Sequence, residues 1–80
     1  MDEKIKELNL LLMFLTGWEE ESRKAPGEKV IRAWKGYLFE TLNKLAEEKL
    51  IIQYQNNKSV LFTEAGRLKA EQLKKQYLQN

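Results

Sequence analysis

Apolar residues recur at helical spacing through the first sixteen positions. Ile5, Leu8, Leu12 and Leu15 lie on one face at intervals of three and four, which predicts a helix over 2–16. Asp2 and Glu3 suit the positive end of its dipole. Leu10, Leu11, Met13 and Phe14 fill its other faces, and a helix apolar all round is normally buried all round. An 80-residue chain has little with which to bury it. Two readings stay open. Other helices of the same chain cross it, or its second face packs on another subunit. In the second reading Leu10, Leu11 and Phe14 form a homodimer interface, extended by Trp18 beyond Gly17.

Gly17 stops this helix. Residues 17–29, GWEEESRKAPGEK, have loop composition, with a turn at Pro26-Gly27. The run Glu19-Glu20-Glu21 reads as solvated surface, because consecutive loop carboxylates rarely converge on a cation and no calcium-loop spacing is present. Glu28 to Lys35 reads as a second helix. Pro26 lies near its favoured N-terminal position, and Val30, Ile31, Ala33 and Trp34 form its apolar face. Gly36 separates it from a third helix, Tyr37 to Lys49, whose Leu38, Phe39, Leu42, Leu45 and Ala46 share one side. Two helices around a tight glycine turn make a helix-turn-helix.

Leu50 to Tyr54 and Ser59 to Phe62 read as two strands joined by Asn56-Asn57-Lys58, Asn being tolerant of positive φ. Such a hairpin must lean on the helices to be stable. Thr63 reads as the N-cap of a last helix, Glu64 to Leu78, with Ala65, Leu68, Leu73 and Tyr77 on its apolar side. The expected fold is mainly α with a β-hairpin, a winged helix-turn-helix of order ααα-ββ-α. It is read as one domain over 1–80.

Two stretches carry a resemblance. LNKLAEEKLI followed by a hairpin and LFTEAGRLKAEQL resembles the end of the recognition helix, the wing and the last helix of small bacterial winged-helix regulators. Leu50-Ile51, and Phe62-Thr63 with Gly66, match that pattern. Nearly the whole chain is similar to a family of short, uncharacterised bacterial winged-helix-like proteins. The shared segments are Arg32-Ala33-Trp34-Lys35-Gly36, then Tyr37, then Lys58-Ser59-Val60, then Thr63-Glu64-Ala65-Gly66. The resemblance implies a fold and carries no activity with it.

Composition narrows the chemistry. The chain has no cysteine and no histidine. Disulfides, Cys/His zinc sites and imidazole-based triads are therefore excluded. Neither Ser22 nor Ser59 has a nucleophile elbow around it, and the four glycines are scattered rather than gathered in a phosphate loop. No enzyme, cofactor or metal is expected. The longest apolar run, Leu10 to Leu15, is far short of the ~20 residues of a membrane helix. Asp2 and Glu3 stand where a signal peptide would be basic. A cytoplasmic protein without membrane contact is expected.

The net charge of +2 does not by itself imply nucleic acid. Duplex DNA would need the third helix in the major groove and the wing on the backbone. Arg32, Lys35, Lys44 and Lys58 would then touch phosphates, and Tyr37 and Thr41 base edges. The outward face of that helix also carries Glu40, Glu47 and Glu48, a poor surface to press among phosphates. Trp34 is either a core anchor or an aromatic that stacks on a base or partner. Two functions follow. One is a small DNA-binding transcriptional regulator. The other is an interaction and dimerisation module that keeps the winged shape and binds itself or another protein.

Overall fold

The computed structural model describes residues 2–36, 38–54 and 56–78. Its elements are α1 (Asp2–Thr16), β1 (Trp18–Glu21), β2 (Lys29–Trp34), α2 (Phe39–Glu47), β3 (Ile51–Gln53), β4 (Ser59–Phe62) and α3 (Glu64–Leu78). The strands form one antiparallel sheet in the order β1-β2-β4-β3. This is an α+β architecture. Among the described residues no helix is long and apolar enough to cross a membrane.

The expected helix over Glu28–Lys35 is strand β2, and the expected loop 17–29 contains strand β1. The element order is therefore αββαββα, and among the described residues no helix-turn-helix precedes the hairpin. The reason lies in a pattern with two readings. Val30, Ile31, Ala33 and Trp34 fit one side of a short helix. They also alternate between the two faces of a strand, and Val, Ile and Trp favour strands. Tertiary pairing decides between them. Glu20 lies opposite Val30 on one side of β2, and Ala33 opposite Val60 on the other. The expected wing is accordingly half of a larger sheet, with β4 internal.

Ala33, Ile51, Val60 and Phe62 bring one sheet face to the core. There they meet Leu10, Leu11 and Met13 of α1, Leu42 and Leu45 of α2, and Ala70 and Leu73 of α3. The helices therefore cover a single face. Strand register places Trp18, Glu20, Arg32, Trp34, Ser59 and Leu61 on the other.

Local signals set two junctions. Lys49 adopts a left-handed conformation with φ 63° after α2. Its N–H donates to the Ala46 carbonyl and the Leu50 N–H to the Leu45 carbonyl, each at 3.0 Å. These two bonds are those of a Schellman motif. Thr63 caps α3 as expected: its Oγ1 accepts the Gly66 N–H at 2.9 Å and donates toward the Lys49 carbonyl at 2.7 Å.

Candidate interaction surfaces

Helix α1 is turned relative to its expected face. Leu10, Leu11 and Met13 are buried within the chain's own core. Ile5, Leu8, Leu12 and Leu15 are the residues left outside, with Leu12 the most open at 59%. The buried side includes Lys6, whose stem lies inside while its Nζ reaches Glu3 at 2.8 Å and also Glu48. Hydrogen bonds to Glu3 and then Glu48 raise the Lys6 pKa above its ordinary value. A lysine that snorkels in this way lets a mixed face act as core.

The start of α2 extends the outer face. Leu38 and Phe39, expected inward, are exposed, Phe39 at 67%. Ile5, Leu8 and Leu12 line a groove of about 400 Å³ with Trp34, Lys35 and Leu38. It adjoins a second of about 550 Å³ between Ile5, Lys6, Phe39, Thr41 and Lys44. Asn9 also lines the first groove, and its Nδ2 is buried without a hydrogen-bond partner. A buried orphan donor of this kind is uncommon.

The predicted homodimer residues separate from this surface. Leu10 and Leu11 are core, and half-buried Phe14 packs on Phe62 with ring centroids 5.8 Å apart. Trp18 meets Trp34 with ring centroids 4.9 Å apart and planes tilted by 50°. The spacing of Ile5, Leu8, Leu12 and Leu15 was visible in the sequence. It read as core because it is the cleaner apolar stripe.

The predicted DNA contacts divide as well. Thr41 and Lys44 stand on α2, beside the α1 groove. Arg32 lies in β2, and Lys35 and Lys58 flank the strands just after β2 and just before β4. Arg32 is engaged: its Nε meets Glu20 Oε1 at 3.1 Å, and its Nη1 donates to Ser59 Oγ at 3.1 Å. Glu20 Oε2 accepts the Trp18 Nε1–H at 2.6 Å, and Ser59 Oγ donates to Asn57 Oδ1 at 3.0 Å. The Lys35 N–H donates to the Lys58 carbonyl at 2.9 Å, so these two residues are neighbours. Tyr37 lies outside the described residues. On α3, Arg67 is held by Glu64 and Glu71, and Lys69 stands 3.5 Å from Glu7. Trp34 is 64% exposed and is not the core anchor that its apolar neighbours suggested.

No curated protein and no solved structure matches this chain. A family model does match, over residues 1–80, and the chain belongs to that family, described as Domain of unknown function (DUF6429).

Proposed function

We propose that this chain is a self-pairing interaction module, in which a second copy docks α1 against α1 in antiparallel register. The observation that carries this is the outer face of α1 with the start of α2. Ile5, Leu8, Leu12, Leu15, Leu38 and Phe39 are all exposed there. An apolar patch of this extent on a small chain marks an interaction surface.

The stripe argues for its own copy as the occupant. Its intervals of three, four and three residues read the same from either end. A two-fold antiparallel pair therefore sets Ile5 against the partner's Leu15 and Leu8 against the partner's Leu12. A two-fold interface requires this kind of self-complementarity, and antiparallel dipoles favour it. The six side chains leave roughly 100 Å² each, or about 600 Å² together, against the ~800 Å² that each partner gives a standard interface. A polar rim supplies the difference.

The duplex-reading regulator has less support. Its second helix is a strand, Arg32 is held by Glu20 and Ser59, and exposed Glu40 and Glu47 oppose Lys44 on α2. Sedimentation velocity across a concentration series tests the proposal. The chain should sediment as a dimer, and Leu12→Lys should leave a folded monomer. A native chain that stays monomeric up to about 1 mM, where binding free energy falls to about 4 kcal/mol, would sink the idea.

A further inference from the structure

The sheet face away from the helices has a different chemistry. Trp34 lies opposite Ser59 and Gln53 opposite Val60, and Tyr54, the residue just after β3, continues that line to the far side of Ser59. Two strand spacings place the Trp34 and Tyr54 backbones roughly 10 Å apart, with a small residue between them. Trp34 is 64% exposed and Tyr54 37%. Trp18 backs the Trp34 ring, and Arg32 lies in the floor between Glu20 and Ser59.

Cations surround these rings. A depression of about 360 Å³ is lined by Arg23 and Lys24 of the β1–β2 loop together with Arg32, Tyr54, Asn57 and Leu61. Glu20 and Glu21 reach the same depression. Glu20 is occupied by Arg32 and Trp18, and Glu21 accepts the Gly27 N–H at 3.3 Å. At the Trp34 end, Lys35 Nζ donates to the Tyr54 carbonyl at 3.4 Å, and Lys58 is its neighbour. Among the described residues Arg23, Lys24, Lys35 and Lys58 enter no ion pair.

Two exposed aromatic rings on one sheet row, bordered by unpaired cations, suit unstacked bases on a phosphodiester chain. A duplex keeps its base faces stacked and cannot use the rings. An acidic peptide would use the cations alone. We propose that this open face binds single-stranded nucleic acid, with bases stacked on Trp34 and Tyr54 and phosphates on Lys35, Lys58, Arg23 and Lys24. Trp34 and Lys35 also line the groove beside the α1 stripe, so the two surfaces adjoin, whereas Tyr54, Arg23 and Lys24 belong to this face. Leu12→Lys touches the stripe and none of the proposed strand contacts, so the two proposals are tested by different variants.

The test is fluorescence anisotropy with labelled oligo-dT and oligo-U of about 12 nucleotides, a length within known single-strand site sizes. A duplex of the same length and polyglutamate serve as competitors. Binding should weaken between about 50 and 200 mM salt with a log–log slope of roughly −2 to −3, as three or four phosphate contacts require. Trp34→Ala should weaken binding at least about tenfold without changing the slope, the size of one lost stack, whereas Trp34→Phe should retain most of it. Lys58→Gln should reduce the slope by about 0.7. Circular dichroism confirms that each variant is folded. The relative affinities of oligo-dT and oligo-U assign the natural strand to DNA or RNA. Absence of binding at low salt, tighter binding of the duplex, equal competition by polyglutamate, or an unaffected Trp34→Ala would each overturn the proposal.

Discussion

Gly66, in the first turn of α3, lies directly against the backbone of Leu50. A β-carbon at Gly66 would overlap the Leu50 carbonyl oxygen and stand 2.8 Å from its carbonyl carbon. That carbonyl also accepts the Thr63 N–H at 3.1 Å. The close approach locks the entry of β3 to the start of the last helix. Because the obstacle is backbone, it cannot turn aside. Gly66→Ala should therefore destabilise by about 3 kcal/mol or more, at the upper end for overpacking. In thermal unfolding that is a fall of roughly 15 °C for a domain of this size. A loss below about 1 kcal/mol would mean that α3 can slide from Leu50 at little cost.

Lys49 makes the opposite case. It holds φ at 63° where glycine would be unstrained, and a left-handed non-glycine residue costs about 1–2 kcal/mol. Its side chain is exposed, and glycine's greater freedom when unfolded offsets part of the relief. Lys49→Gly should stabilise by about 0.5–1 kcal/mol, read as a higher urea midpoint at unchanged slope. A lowered midpoint would assign the Lys49 side chain a role that its exposure does not suggest.

The Lys6 ion pairs test whether charge or packing matters on the inner face of α1. Glu3 and Glu48 both remain open to water, so removing the ammonium strands no buried carboxylate. Lys6→Met keeps the buried stem and should hold stability within about 1 kcal/mol. Lys6→Ala removes the stem and should cost about 2 kcal/mol, the lower range for emptying a core position. Equal losses in the two variants, measured by chemical denaturation, would show that the charge rather than the stem is what matters.

Acid should weaken the fold through two carboxylates. The Lys6 hydrogen bond lowers the pKa of Glu3, and the Arg67 hydrogen bond lowers that of Glu64. Each therefore takes up protons less readily folded than unfolded. Their contribution is present above the ordinary carboxylate range and is lost as pH falls through the lowered folded values. Both are at the surface, so the effect is small and screened by salt. Glu3→Gln with Glu64→Gln should flatten the decline in melting temperature between about pH 5 and pH 2. An unchanged decline would move its origin to other carboxylates.

Local signals in the sequence specified the parts of this fold that depend on neighbours along the chain. A threonine cap with glycine three residues on marks the start of α3, and Asn56 takes the positive φ, 65°, for which Asn suits a turn. The strand Ser59–Phe62, the last helix and the amphipathic centre of α2 follow from such patterns. So does the continuous apolar character of α1.

Tertiary structure decided what distant segments offer each other. KVIRAW serves as a helix face or as two strand faces, and only β1 and β4 on either side make it a strand. WEEE has little strand propensity of its own. It pairs at the sheet edge, where Glu20 meets Arg32 and the Trp18 ring packs at a tilt against Trp34. The same holds for α1, which has enough apolar residues for two faces. The buried one is set by what the sheet, α2 and α3 can cover, with Lys6 admitted because Glu48 waits across the α1–α2 contact. The outer stripe and the open sheet face thus become surfaces only once the core has been chosen. That choice rests on contacts between segments far apart in the chain, which spacing along the sequence does not encode.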